Sequence, residues 1–140
     1  MSEHELYVLI ADYLRLQYPD IIYRFDLAAD LKLSIGQAKK HKRLQRFRGY
    51  PDLFIAKPKL QQSKDGLPIY THGLFLEIKK EGTKILKKDG ELVADKHIRE
   101  QAKMLQALER RGYRAMFAVG MEQAKNIIDE YIGRKNGRIL

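Results

Sequence analysis

The sequence predicts an α/β sandwich, with a central mixed sheet flanked by helices and elements in the order αβαββαβα. Three observations carry this. The chain has 140 residues, room for one hydrophobic core and not for two comfortable ones. In the C-terminal half, short apolar runs rich in β-branched and aromatic residues alternate with runs of helical period. The 44% apolar and 32% charged content is that of a folded domain rather than a disordered chain.

The elements follow in order. Residues 3–18 read as a helix, with Leu6, Leu9, Ile10, Tyr13 and Leu14 on one stripe and Ser2 as N-cap. Pro19-Asp20 ends it, and residues 21–25 form a short strand. Residues 33–45 are basic, without a β pattern, and read as a second helix. Gly49-Tyr50-Pro51 breaks the chain before a buried strand at 52–56. Residues 57–72, with Pro58, Gly66 and Pro68, are a loop or the tip of a hairpin. Residues 73–79 are the next strand, and Asp89-Gly90 is a turn signal. A helix over 95–111 places Ile98, Ala102, Leu105 and Leu108 on one face, and Gly112 caps it. A strand at 113–119 and a helix at 121–132 complete one domain over 1–133, leaving 134–140 as a basic tail.

Composition removes several classes of function. With no cysteine there is no disulfide framework, thiolate zinc site or cysteine nucleophile. No apolar run approaches the ~20 residues of a membrane span, and the acidic start lacks a signal peptide's basic and apolar regions. The expectation is a cytoplasmic protein without membrane contact. The 27 Lys+Arg against 18 Asp+Glu give a net charge of +9, which favours a polyanionic partner. No phosphate-cradling glycine loop, nucleophile elbow or zinc-protease motif is present, so no small-molecule cofactor is expected. The four histidines lack metal-ligand spacing and read as solvent-facing or structural.

The two central strands hold the chemistry. Asp52 opens one; on the other, Glu77 and Lys79 are two residues apart and emerge on the same sheet face. Ile78 between them points to the opposite face, while its carbonyl stays at the site. Paired carboxylates are a natural oxygen site for Mg²⁺, and a neighbouring lysine orients or deprotonates water or stabilises charge on phosphate. A Glu-x-Lys triplet alone is usually an ion pair on a solvated strand. Here it adjoins apolar strands, where an unpaired charge is costly unless it binds metal. Gly49 allows either an unusual backbone angle or a close approach of nucleic acid.

The run from Lys39 to Arg48 is six-tenths Lys or Arg and leads straight into this turn. It is either a solvated helix face or a phosphate-contacting ridge, and its position beside Asp52 favours the ridge. Lys39, Lys40, Lys42, Arg43, Arg46 and Arg48 are therefore DNA-contact candidates, with Gly49 at the turn and Tyr50 as a stacking residue. Lys84, Lys87 and Lys88 extend the groove from the other side.

Gly49-Tyr50-Pro51-Asp52, Phe75-Leu76-Glu77-Ile78-Lys79 and Gln101-Ala102-Lys103-Met104-Leu105 together resemble the virus-type replication-repair nuclease (VRR-NUC) domain of the PD-(D/E)xK nuclease superfamily. The resemblance spans almost the whole chain, and the short, stand-alone form is similar to phage-encoded members. It implies a restriction-endonuclease-like sandwich and a Mg²⁺- or Mn²⁺-dependent DNA endonuclease. Asp52, Glu77 and the Ile78 carbonyl would ligate the metal, Lys79 would position or activate the attacking water, and Gln101 would support the site. It also implies an acidic residue on the first helix: Glu3, which continues the apolar stripe, or Glu5, unless both merely favour the positive helix end. A homodimer acting on branched DNA such as four-way junctions, in a bacterial or phage-infected cell, is the implied setting. Met104 departs from the bulky aromatic that the family often carries three residues after the glutamine. The alternative from another class is a non-catalytic DNA-binding module on a nuclease-like fold.

Overall fold

Ser2 starts helix α1 (Glu3–Gln17) with a reciprocal capping box: the Glu5 amide donates to Ser2 Oγ (3.1 Å), and the Ser2 amide donates to the Glu5 carboxylate (3.3 Å). The computed structural model describes residues 1–26, 31–135 and 138–139. After α1 come β1 (Tyr23–Phe25), α2 (Ile35–Leu44), β2 (Leu53–Ile55), β3 (Lys59–Gln62), β4 (Pro68–Thr71), β5 (Leu74–Lys79), α3 (Lys96–Arg110), β6 (Arg114–Val119) and α4 (Gly120–Ile132). Past Gly133, two short strands, β7 (Arg134–Lys135) and β8 (Arg138–Ile139), pair antiparallel in the segment read as a basic tail.

The main sheet has the order β1-β2-β5-β6. β1 and β2 pair antiparallel, as do β2 and β5, whereas β5 and β6 run parallel. The parallel pair requires a crossover, and α3 supplies it. The sheet is thus mixed and helix-flanked, as predicted. Set aside the β3–β4 hairpin and the terminal strand pair, and the order is αβαββαβα.

Alternation along the strands makes two cores. Leu53, Ile55, Leu74, Leu76 and Ile78 turn to one face and pack with Leu6, Tyr7, Ile10 and Leu14 of α1 and Ala124, Ile128 and Tyr131 of α4. Phe75 turns to the other face and packs with Leu105 of α3, Ala115 and the partly buried Phe54 and Phe117. The Tyr13 and Tyr18 hydroxyls both donate to Asp129 Oδ1, at 2.6 and 2.5 Å, and tie α1 to α4.

One expectation is corrected. Leu9 is exposed, and the buried stripe of α1 runs through Leu6, Tyr7, Ile10 and Leu14. Of the two readings of 57–72, the structure shows the hairpin, antiparallel with Leu60 opposite Tyr70. α2 stands apart from both cores, and none of its residues is buried. The exposed surface is 10106 Å², against roughly 7,500 Å² for a compact monomer of this mass.

Candidate active site

The β2–β5 register brings the two carboxylates together. Leu53 faces Leu76 across an antiparallel ladder, so the preceding Asp52 faces Glu77. The Asp52 amide donates to Glu77 Oε2 (3.2 Å), and the Ile78 amide donates to Asp52 Oδ2 (2.8 Å). Both side chains are buried, at 7% and 3% exposure. Lys79 Nζ lies 4.0 Å from Glu77 Oε1, an ion pair beyond hydrogen-bond length, and its side chain is largely covered. Ile78 points into the α1–α4 core, as its place between Glu77 and Lys79 requires.

α3 lies on the face that carries Phe75, and it delivers Gln101. The Gln101 Nε2 group donates to Glu77 Oε1. Gln101 Oε1 is buried and has no hydrogen-bond partner among the described residues. Gly49 sets this approach. Its φ is +77°, and a Cβ there would lie 3.0 Å from the Glu100 carbonyl oxygen and 3.2 Å from Gln101 Cα. The glycine therefore serves both a left-handed turn and close contact with α3.

Tyr7 completes the surroundings of Asp52 from α1. It is buried, its ring lies 5.5 Å from that of Phe25, and its hydroxyl interacts with the Asp52 carboxylate. Burial, and next the Asp52 charge, pushes the hydroxyl pKa well above the ordinary tyrosine value, so it remains a donor. Sequence reasoning sought an acid on this helix and passed over the tyrosine. The available signal was a tyrosine on the apolar stripe, whose hydroxyl needs a buried partner. Glu3 is half-buried one turn before Tyr7, while Glu5 is exposed and engaged in the capping box. Among the described residues, no three His, Asp or Glu side chains are grouped so as to hold a metal ion.

Burial dominates the electrostatics. It pushes Glu77 up to about 9, reinforced by the facing Asp52 and opposed by Lys79. Asp52 is also raised by burial, while the neighbouring Glu77 side chain, the hydrogen bond from the Ile78 amide and the Tyr7 hydroxyl pull it down. Two carboxyls this close cannot both ionise cheaply, so at neutral pH the pair retains a proton.

A cleft of about 530 Å³ opens over Asp52, Glu77 and Gln101. Lys42, Arg46, Arg48, Gly49 and Tyr50 also line it. His41 and His97, which the sequence placed at no site, line it too. Lys39, Lys40 and Arg43 are exposed but lie outside this lining, as do Lys84, Lys87 and Lys88. A ten-residue helix turns its side chains in all directions, so only part of a continuous basic run can face one cleft. Tyr50 meets Phe75 edge-on at 5.6 Å, and burial raises its hydroxyl pKa.

The donor set fits a hard divalent cation. Two buried carboxylates would exchange their shared proton for the ion, and the unpartnered Gln101 oxygen is an acceptor suited to a water at the site.

No family model and no curated relative matches this sequence. Over its whole length the chain is similar to a solved structure described as a VRR_NUC domain protein, with a TM-score of 0.57 and 23% identity, covering 100% of this chain and 97% of that one. The mixed sheet, its flanking helices and the β2–β5 hairpin-linked pair thus agree with the architecture that the three sequence motifs resemble: this chain has the VRR_NUC fold.

Proposed function

We propose that the chain is a Mg²⁺- or Mn²⁺-dependent endonuclease that hydrolyses phosphodiester bonds in branched or structured DNA, four-way junctions included, during replication, recombination or repair. The observation that carries this reading is one cleft whose lining combines the buried carboxylates Asp52 and Glu77 with Lys42, Arg46 and Arg48. A DNA-binding module would gain nothing from two carboxylates buried beneath its basic surface. A hydrolase gains a cation site next to the phosphate.

In this reading Asp52 and Glu77 hold the ion, with the Ile78 carbonyl as a further oxygen. When bound, the ion supplies Lewis acidity and countercharge for the transition state. Lys79 holds and orients the nucleophilic water or screens charge on the phosphate, and the Gln101 oxygen accepts a hydrogen bond from that water. Tyr7 fixes the Asp52 carboxylate. Lys42, Arg46 and Arg48 seat the phosphate backbone, and the more outlying Lys39, Lys40 and Arg43 contribute longer-range attraction. Glu3 acts through Tyr7, one turn away, rather than on the ion.

Incubating the protein with plasmid and with junction DNA in Mg²⁺, Mn²⁺ or EDTA tests the reading. Cleavage that depends on the metal is expected; binding without cleavage in either metal would leave a DNA-binding module. Tyr7→Phe removes only the hydroxyl and is expected to raise the metal concentration needed for half-maximal cleavage about tenfold to a hundredfold. An unchanged metal requirement would remove Tyr7 from the site.

The working form in this proposal is a homodimer, acting in the cytoplasm of a bacterial or phage-infected cell. Leu60 and Tyr70 face each other on the β3–β4 hairpin and are 70% and 56% exposed, an apolar pair suited to a partner copy. Two copies would present two clefts to two strands. Sedimentation of the DNA-bound protein as a monomer at micromolar concentration would refute the dimer.

A further inference from the structure

Phe47 is the next-to-last residue of the basic run, between Arg46 and Arg48, and 65% of it is exposed. The Arg46 guanidinium sits over its ring, 5.3 Å from the centroid. Phe47 lines the cleft that contains Asp52 and Glu77, and it also lines a second, largely apolar groove of about 380 Å³. Leu44, Met104, Ala107 and Leu108 form the groove's apolar lining, and Arg46 and Arg111 also border it. The Arg111 guanidinium is held there by donating to the Ala107 carbonyl at 2.9 Å. No acidic side chain lines the groove among the described residues.

We propose that Phe47 and this groove form a subsite for an unpaired nucleobase, next to the cleft that receives the phosphate backbone. This deepens the nuclease reading by assigning the feature that favours branched over continuous DNA, and it rests on that reading for its substrate.

The physical argument has three parts. Phe47 lies in the bend that follows α2, its ring exposed to solvent, and every nucleobase offers a flat face that stacks on an aromatic ring. Arginines on either side of it in sequence, Arg46 and Arg48, neutralise the phosphates that a stacked nucleotide brings along. A fully paired duplex keeps its bases stacked on each other, so only an unpaired base at a branch, fork or flap reaches the groove without the cost of extrusion. Charge decides against a second copy of this chain as the occupant. It would press a basic rim against another in a protein of net charge +9. Tyr50 is less suited to the role, since its ring is already engaged edge-on with Phe75.

The test is a binding titration in EDTA, so that nothing is cleaved. It uses a forked DNA with a fluorescent adenine analogue at its unpaired branch position, and a blunt duplex of the same length. The expected result is a fluorescence change on the fork with the unaltered protein. It is lost in Phe47→Ala, with about a tenfold weaker fork affinity, and retained in Phe47→Trp, while duplex affinity stays within twofold throughout. Equal loss on both DNAs, or no loss on either, would overturn the proposal. So would a change of oligomeric state in Phe47→Ala, which would assign the groove to a second copy. The outcome is separable from the nuclease reading. A Phe47-dependent signal in a protein that never cleaves keeps the subsite and loses the nuclease. Cleavage that is indifferent to Phe47 does the reverse.

Discussion

Asp52→Asn and Lys79→Ala are each expected to abolish cleavage, by roughly three orders of magnitude or more, while the fold and most of the DNA affinity persist. Asparagine keeps the shape of Asp52 and can still accept from the Ile78 amide, so the β2–β5 junction stays closed. What it loses is the negative charge that a cation requires. Lys79 is at the end of β5, and its ammonium is 4.0 Å from Glu77 without a close hydrogen bond, so its removal leaves little unsatisfied. On the proposed reading, DNA affinity resides chiefly in Lys42, Arg46 and Arg48 of the cleft lining. A junction-binding assay run beside the cleavage assay separates the two effects. Full activity of either variant with metal present would end the mechanism, and loss of both binding and folding would show that these residues are structural.

The metal-free protein is expected to lose stability as pH rises from about 5 toward 9. Glu77 has a reference value of 4.5 and is pushed up to about 9 in the fold, by burial first and by Asp52 second. A carboxyl raised in this way binds a proton more tightly when folded than when unfolded. Its contribution is fully present below 4.5 and is lost progressively up to the folded value. At pH 7 the penalty is on the order of 3 kcal/mol, a Tm shift of roughly 10 °C for a domain of this size. Glu77→Gln is neutral at every pH and should raise the metal-free Tm at pH 8 and flatten its pH dependence. Magnesium or manganese should raise the Tm of the unaltered protein most at the alkaline end and leave Glu77→Gln nearly unmoved. A Tm that climbs from pH 5 to pH 9 in the absence of metal, unaffected by Glu77→Gln, would contradict the buried-pair account.

Much of the molecule was legible before its structure, and the illegible parts share a cause. Local signals located every helix and every strand of the main sheet to within a few residues, because caps, breakers and periodicity act over one or two turns. Asp52, Glu77 and Lys79 were legible as a set because strand alternation fixes which side chains share a face. Gln101 was legible only through the resemblance, since nothing in its own helix distinguishes it from Gln106. Tyr7, His41 and His97 reach the site from three separate helices or their approaches, and no window of sequence contains that convergence. The α1 stripe was misjudged by one position: Leu9 and Tyr7 both fit a helical period, and only the packed sheet chose between them. The role of Gly49 was likewise a matter of what lay opposite, which proved to be the backbone of α3.

The β3–β4 hairpin leaves the sheet at the far end from the site: β2 begins beside Asp52 and runs away from it to Ile55, and β5 returns from Leu74 to Glu77. The 25-residue interval between the two carboxylates is therefore mostly slack. It can lengthen or shorten through this arm at the small cost of loop closure, while the Leu53–Leu76 pairing keeps the acids opposite each other. Distant homologues should then be sought by strand pairing rather than by counting residues from one acid to the next. A chain with a very different interval can carry the same centre.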